Sequence, residues 1–166
     1  MPIHRLNHAV LYVRDVERSV AFYRDVLGFG PIEDMAGLPG AAFLRAPGST
    51  NDHDLGLFET GGSPPPRGTT GLYHLAWEVD TLDDLDALAG KLAAAGALVG
   101  ASDHSTTKSL YAKDPDGIEF EIAWLVPADA LDEEARAGRS RIRPLDLQRE
   151  KARYGAGTLG GVGVSR

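Results

Sequence analysis

Two histidines and one glutamate are the residues of this sequence whose types and positions best suit metal chemistry. His8 and His74 each stand the same interval before the valine that ends a short apolar run. Glu121 lies in the run IEFEIAW, where polar and apolar residues alternate as in a half-buried strand. A carboxylate on such a strand needs a cation, hydrogen-bond donors or open water. Two imidazoles and one carboxylate leave three coordination positions open, a set that suits non-heme Fe(II), or Mn, Ni or Zn with less selectivity.

An internal repeat places the two histidines at equivalent positions. The stretches at 7–29 and 73–97 share one plan: a histidine, a short apolar strand, an amphipathic helix and a glycine. Asp15 is a candidate N-cap of the first helix, and Thr81 with Asp84 has the capping-box pattern for the second. Each β-α step is followed by further predicted strands, at about 41–46 and 53–59 in the first copy and at 108–113 and 118–125 in the second.

The repeat defines the expected domain organisation. The sequence predicts an α+β fold made of two βαβββ modules, at about residues 3–60 and 71–126. They belong to a single domain over residues 1–126. The stretch GGSPPPRGTT at 61–70 is expected to be the linker between the modules, because its prolines and glycines exclude a helix or a central strand.

Alternation along the strands separates the candidate ligands from the core. His8 is expected on the face opposite Leu11, which points towards the following helix. His74 and Glu121 are likewise expected opposite the apolar residues of their strands. If helices cover one face of each sheet, all three side chains remain on the other face and converge. The turn DPDG precedes the strand that carries Glu121, and its Gly117 is free to take a positive φ. The turn therefore fixes the register of this strand, on which the direction of the Glu121 side chain depends.

Composition excludes several classes of protein. The chain has 166 residues, a net charge of -7 and no cysteine, which excludes thiolate metal sites and argues against binding to nucleic acid. No apolar run approaches the ~20 residues of a membrane span, and a first strand expected from about residue 4 leaves no room for a signal peptide, so we expect a cytoplasmic protein with no membrane partner. His4 is expected at the surface.

The last forty residues differ in composition from the rest. Residues 127–166 carry 8 Lys and Arg against 6 Asp and Glu, whereas the body of the chain is acidic. A short helix is expected within 128–137, and the glycine-rich end GAGTLGGVGVSR is expected to be flexible. This segment is expected to be either a decorating tail or a basic flap across an acidic opening.

Three motifs carry a resemblance to a known superfamily. The stretches LNHAVLYVRDVERSVAFYRDVLGF, YHLAWEVDTLDDL and DPDGIEFE resemble the vicinal oxygen chelate superfamily, over about residues 3–126. The resemblance implies a curved mixed sheet around a metal cleft, with His8, His74 and Glu121 as ligands. The superfamily includes glyoxalases, fosfomycin-modifying transferases, epimerases, ring-cleaving dioxygenases and metal-free drug-binding proteins, so the fold does not define one reaction.

The resemblance is greatest to the type I extradiol ring-cleaving dioxygenases. Glyoxalases are similar but usually add a fourth ligand, and our alignment places Gly56 at that position. Extradiol enzymes instead carry an acid-base histidine on the same strand, which implies His53 in this chain. The last third of the extradiol sequences also resembles this chain. The resemblance implies that Tyr111 and His104 bind the diol or donate a proton. The interval from His104 to Tyr111 is about two residues shorter than is usual in that family.

These motifs imply an Fe(II)-dependent enzyme that cleaves a catechol-like aromatic diol with O2 in aromatic catabolism. Two alternatives stay open: another metalloenzyme of the superfamily, such as a glyoxalase-like lyase, epimerase or thiol transferase, and a non-enzymatic small-molecule-binding protein. Taken one by one, His53 is also compatible with a solvated turn, His104 with a surface position and Tyr111 with an ordinary strand. A homodimer is expected, because paired modules of this type leave sheet edges that association covers.

Overall fold

Two sheets, each with its own helix, form the framework of the chain. The computed structural model describes residues 2–3, 5–33, 37–63, 66 and 68–161, so His4 and part of the expected linker lie outside the described residues. The chain divides into two compact units, residues 1–70 with 114–117, and residues 71–113 with 118–166. In chain order the elements of the two modules are β1 (Ala9–Val13), α1 (Val16–Leu27), β2 (Gly30–Pro31), β3 (Ala41–Arg45), β4 (Leu55–Glu59), β5 (Leu75–Glu78), α2 (Leu82–Ala94), β6 (Leu98–Asp103), β7 (Thr107–Lys113) and β8 (Glu119–Leu125).

In the first unit the strand order is β1-β4-β3-β2. The first and last strands of the module, β1 and β4, are parallel neighbours, and the other pairs are antiparallel. Helix α1 begins after Asp15, whose side chain accepts a hydrogen bond from Arg18 N, and it ends at Gly28 with φ 81°. The inward face of β1 contributes Leu11 and Val13 to the core, which are 7% and 1% exposed. The N-cap predicted from the sequence is therefore confirmed.

The second unit repeats this arrangement. Its sheet has the order β5-β8-β7-β6-β9, where β9 comes from the C-terminal segment, and β5 and β8 are again parallel. Helix α2 starts with a complete capping box in which Thr81 and Asp84 each bond to the other's backbone N–H. Phe120 and Ile122, both 2% exposed, form the buried face of β8. The predicted α+β fold with two βαβββ modules is confirmed, although β1 begins at Ala9 rather than near residue 4.

The C-terminal segment has more structure than its composition suggested. It contains a 3-10 turn at Ala128–Ala130, α3 (Glu133–Ala137), β9 (Arg143–Pro144) and α4 (Leu147–Tyr154). The sequence predicted a helix only within 128–137. Beyond α4, Thr158 O accepts a hydrogen bond from Trp124 Nε1 at 3.2 Å, and Gly161 N donates to Leu125 O at 3.2 Å. Part of the end expected to be flexible is thus hydrogen-bonded to β8, while residues 162–166 lie outside the described part of the chain.

None of the helices in the described ranges is long and apolar enough to cross a membrane.

An ion cluster holds the turn between β7 and β8 within the first unit. Gly117 has φ 82°, as its sequence context predicts. The Asp116 carboxylate, 5% exposed, accepts hydrogen bonds from Arg14 N at 2.8 Å, Arg14 Nε at 2.7 Å and Arg18 Nη2 at 2.5 Å. Burial alone would raise the pKa of Asp116, but the hydrogen bonds from Arg14 and the charges of Arg18 and Arg14 lower it below its ordinary value. The carboxylate is therefore ionised in the folded protein.

Replacing Asp116 by Asn should reduce the free energy of unfolding by about 1–3 kcal/mol at pH 7, because the charge that accepts from both arginines is lost. Because the pKa of Asp116 is lowered in the folded protein, its contribution to the free energy of unfolding is complete above the ordinary carboxyl pKa. This contribution is lost as the pH falls through the pKa that Asp116 has in the folded protein. In urea unfolding experiments, the difference in free energy of unfolding between wild type and Asp116→Asn should therefore be smaller near pH 3 than at pH 7. Asp25→Asn, at an exposed pair with Arg24, is the control and should change little. A difference in free energy of unfolding that is equally large at both pH values would contradict this role of Asp116.

Candidate metal and catalytic site

The second unit brings together one histidine and one carboxylate of the predicted ligand set. His74 immediately precedes β5, and Glu121 lies on β8 opposite Ala76. Because β5 and β8 are parallel neighbours, His74 Nε2 lies 3.1 Å from Glu121 Oε2. Their side chains are 24% and 13% exposed, so both groups are mostly shielded from water. The imidazole Nδ1 of His74 is buried and has no hydrogen-bond partner among the described residues.

This separation fits two adjacent ligands of one metal ion. Ligand atoms at right angles around a metal, each about 2.1 Å from it, stand about 3 Å apart. The same distance permits a direct hydrogen bond in the absence of a metal. An imidazole and a carboxylate are also a suitable donor pair for Fe(II) or Mn. His74 and Glu121 therefore fit a metal-binding role in both chemistry and geometry.

Tyr111 and His104 lie beside this pair. Tyr111 is on β7 directly opposite Glu121, and its ring centroid is 5.8 Å from that of His74. The Tyr111 hydroxyl and His104 Nε2 are 2.9 Å apart and share a hydrogen bond whose direction depends on the histidine tautomer. Burial raises the pKa of Tyr111, and the negative charge of Glu121 raises it further, so the phenol keeps its proton at neutral pH. The short interval from His104 to Tyr111 does not prevent their contact.

The first unit holds the other two predicted histidines. His8 precedes β1, and His53 precedes β4 by two residues. Their ring centroids are 4.4 Å apart. Asn7 Oδ1 lies 2.8 Å from His8 Nδ1, and an acceptor there favours the tautomer whose Nε2 lone pair is free for a metal. Asp52 Oδ2 lies 3.1 Å from His53 Nδ1, the arrangement of a carboxylate that orients an imidazole.

Phe43 packs beside Gly56, the position where a fourth metal ligand would stand. A Cβ placed on Gly56 would meet Phe43 Cε1 and Val10 Cγ2, each at 3.4 Å. A longer side chain there would have to displace the Phe43 ring, which also contacts His53 at a centroid distance of 5.1 Å. Glu59, the next acidic residue on β4, accepts instead from Val16 N at the start of α1, at 3.4 Å. These positions agree with a set of three ligands rather than four.

The structure thus groups the six predicted site residues by unit. His74, Glu121, Tyr111 and His104 are neighbours in the second unit, and His8 contacts His53 in the first. Within the described ranges, no group of three or more His, Cys, Asp and Glu side chains is arranged so that it could hold a metal ion. The assignment of all three ligands to one ion therefore stays a prediction.

Sequence reasoning missed two supporting groups, Asn7 and Asp52. Each directly precedes one of the histidines, and its side-chain oxygen lies near that histidine's Nδ1. A polar acceptor immediately before a candidate histidine was the available signal. Such pairs are also frequent in turns, so this signal alone does not identify a site.

A family model matches residues 5–122 with the description Glyoxalase/Bleomycin resistance protein/Dioxygenase superfamily. The chain belongs to this superfamily. Among curated relatives, the catechol-2,3-dioxygenase of Bacillus subtilis (strain 168) is 32% identical over 120 residues, which cover 70% of this chain and 40% of that protein. The iron-dependent extradiol dioxygenase of Rhodococcus jostii (strain RHA1) is 34% identical over 130 residues, covering 70% and 42%. The chain thus spans about two fifths of the length of these two relatives.

Solved structures agree on the fold. The glyoxylase/bleomycin resistance protein/dioxygenase domain from Frankia sp. EAN1pec has a TM-score of 0.62 and 26% identity, covering 74% of this chain and 92% of that chain. The fosfomycin resistance protein FosX from Listeria monocytogenes has a TM-score of 0.57 and 19% identity, covering 74% and 93%. At that identity only the fold is shared, so the fold leaves the reaction open.

Proposed function

We propose that this chain is a metal-dependent extradiol-type dioxygenase that cleaves a catechol-like aromatic diol with O2. The observation that carries the proposal is the hydrogen bond between Tyr111 and His104 beside the His74–Glu121 pair. An enzyme that used the metal only as a Lewis acid for isomerisation would not need this second pair of proton-carrying groups. Two curated relatives that bear dioxygenase names support the same reaction class.

His8, His74 and Glu121 are proposed to hold the metal, with Fe(II) favoured and Mn, Ni or Zn as alternatives. As ligands they would supply two imidazole nitrogens and one carboxylate. Asn7 supports His8 in this role by occupying its Nδ1. A bound Fe(II) would supply the redox chemistry by which electron density passes from the diol ring to oxygen.

The neighbouring side chains are proposed to bind the diol and to move its protons. A catechol must lose a proton when it binds, and His53, oriented through Nδ1 by Asp52, is the proposed acceptor at Nε2. Tyr111 keeps its proton and donates a hydrogen bond to a deprotonated substrate oxygen. His104 holds the Tyr111 hydroxyl in place and can exchange a proton with it. Phe43, which packs against His53, contributes an apolar surface for an aromatic ring.

Another metalloenzyme of the superfamily remains the alternative function. A glyoxalase-like lyase, epimerase or thiol transferase would keep the three ligands without using His53, Tyr111 and His104. A non-enzymatic small-molecule-binding protein would not need metal ligands, so it would not account for the His74–Glu121 contact.

One divalent metal per chain should bind through the proposed ligands. After anaerobic reconstitution with Fe(II) and desalting, metal analysis should return one ion per wild-type chain, and His74→Ala should retain almost none, because a 2-His-1-carboxylate set cannot spare a ligand. Circular dichroism should show that the variant is folded. His104→Ala is the matched control and should retain the metal. Wild-type protein that holds no stoichiometric metal would refute the assignment.

The reaction type is tested by oxygen uptake with a small panel of catechols. The Fe(II)-loaded protein should consume one O2 per diol and form a yellow ring-opened product. His53→Phe and Tyr111→Phe should each lower kcat by ~10²-fold, the scale of a lost proton-transfer group, while metal content stays at the wild-type level. Unaltered activity in both variants, or isomerisation of a glutathione hemithioacetal without oxygen uptake, would favour the glyoxalase-like alternative.

A homodimer is proposed because β1 and β5 are edge strands, each at the end of its sheet. Association commonly covers such edges. Light scattering should therefore return about twice the chain mass of 17.7 kDa. A mass of one chain at all concentrations of the wild type would exclude the dimer.

A further inference from the structure

We infer that the C-terminal segment positions His104, through a buried ion network that joins Glu150 of α4 to Lys108 and Asp103. The inference rests on the proposed function in that His104 is taken as a catalytic side chain. Asp103 and Lys108 lie within the residues matched by the family model, which end at 122, whereas Glu150 lies beyond them. The network therefore adds to the module a contact that the matched residues alone cannot make.

The network is centred on a lysine with no exposed surface. Lys108 Nζ lies 2.5 Å from Asp103 Oδ1 and 2.8 Å from Glu150 Oε2, and the three side chains are 0%, 8% and 2% exposed. The contact with Glu150 is an ion pair whose geometry is not that of a hydrogen bond. A buried lysine needs such partners, because an uncompensated charge away from water is very costly. Glu150 thus restricts where the Lys108 ammonium can lie.

Lys108 and Asp103 in turn fix the backbone on both sides of His104. Asp103 Oδ1 accepts a hydrogen bond from Ser105 N at 2.7 Å, and Lys108 Nζ donates to Ser105 O at 3.2 Å. Ser105 has φ 66°, a left-handed conformation that a serine adopts only at a cost. His104 N donates to Thr107 O at 2.9 Å across the same turn. The conformation that points His104 towards Tyr111 is therefore maintained by this network.

The ionised state of Asp103 supports this role. Burial alone would raise the pKa of Asp103, but hydrogen bonds from Lys108 and Ser105 N, and the charges of Lys108 and Arg143, lower it below its ordinary value. An ionised carboxylate accepts from two donors at once, which a neutral carboxyl group does less well.

Two further parts of the C-terminal segment, β9 and Gly138, contact the turn that carries His104. Strand β9 pairs with the end of β6, with Arg143 opposite Asp103. A Cβ placed on Gly138 would lie 2.3 Å from Ser105 Oγ, so a larger residue there would force the Ser105 side chain to move. Three separate contacts of the segment, through Gly138, Arg143 and Glu150, therefore converge on residues 103–108. This convergence distinguishes a positioning element from a tail that only covers the sheet.

The test is a double-mutant cycle between Glu150→Gln and His104→Ala. In the wild-type background, Glu150→Gln should lower kcat by about tenfold with little change in KM for the diol and with wild-type metal content. In the His104→Ala background it should have no further effect on kcat, because the group through which it acts is gone. An equal loss in both backgrounds, or no loss in either, would overturn the inference.

A matched control disturbs the same helix at a different ion pair. Lys151 on α4 lies 2.8 Å from Asp83 and 2.5 Å from Asp86 and has no contact with the His104 turn in the residues described. Lys151→Met should therefore leave kcat within about twofold of wild type. A tenfold loss in this variant would mean that any loosening of α4 suffices, and the specific role of Glu150 would be wrong.

A spectroscopic readout separates this inference from the proposed reaction. In ¹⁵N-histidine NMR spectra of the metal-free chain, Glu150→Gln should shift the ring resonances of His104, whereas Lys151→Met should not. If the shift occurs but no diol is cleaved, the positioning role stands and the proposed reaction fails. If diols are cleaved but the resonances are unchanged, the positioning role fails.

Should Glu150→Gln not fold, Glu150→Asp keeps the negative charge on a shorter side chain and so draws the carboxylate away from Lys108 Nζ. It should show the same shift of the His104 resonances, and unchanged resonances would again contradict the inference.

Discussion

The parallel pairing of the first and last strand in each module is the constraint on which the site depends. In an antiparallel meander, residues before the first strand and residues in the last strand are not brought side by side in this way. Here β5 and β8 are parallel neighbours, so His74, at the entry to one, reaches Glu121 in the middle of the other. The same pairing of β1 with β4 places His8 next to His53. Residues far apart in sequence become neighbours because the chain crosses through a helix and two strands before it returns.

Much of this arrangement could be predicted because it depends on local signals. The N-cap Asp15, the capping box at Thr81 and the turn glycine Gly117 each follow from chemistry within a few residues. The matching positions of His8 and His74 follow from the internal repeat. Alternation along β8 also identified Phe120 and Ile122 as core residues and Glu121 as the residue on the other face. The family model supports the same fold over residues 5–122.

The remaining features depend on contacts that no local pattern reveals. Lys108, Asp103 and Glu150 have the composition of a solvated surface, and a lysine in a strand would ordinarily be assigned to the exposed face. They are buried because α4 packs against α2 and reaches Lys108 of β7 within the second unit. The helix itself has few apolar residues to signal that packing. The stretch after α4 was expected to be flexible because five of its twelve residues are glycine, yet Thr158 and Gly161 are hydrogen-bonded to β8 residues.

An isotope experiment tests most directly whether this chain cleaves a diol with O2. The Fe(II)-reconstituted chain would be given a catechol under ¹⁸O2 and the ring-opened product analysed by mass spectrometry under conditions that limit exchange with water. A dioxygenase with Tyr111 and His104 beside the His74–Glu121 pair places both atoms of one O2 in the product. A product that contains no ¹⁸O, or only one atom derived from O2 at full conversion, would contradict the account.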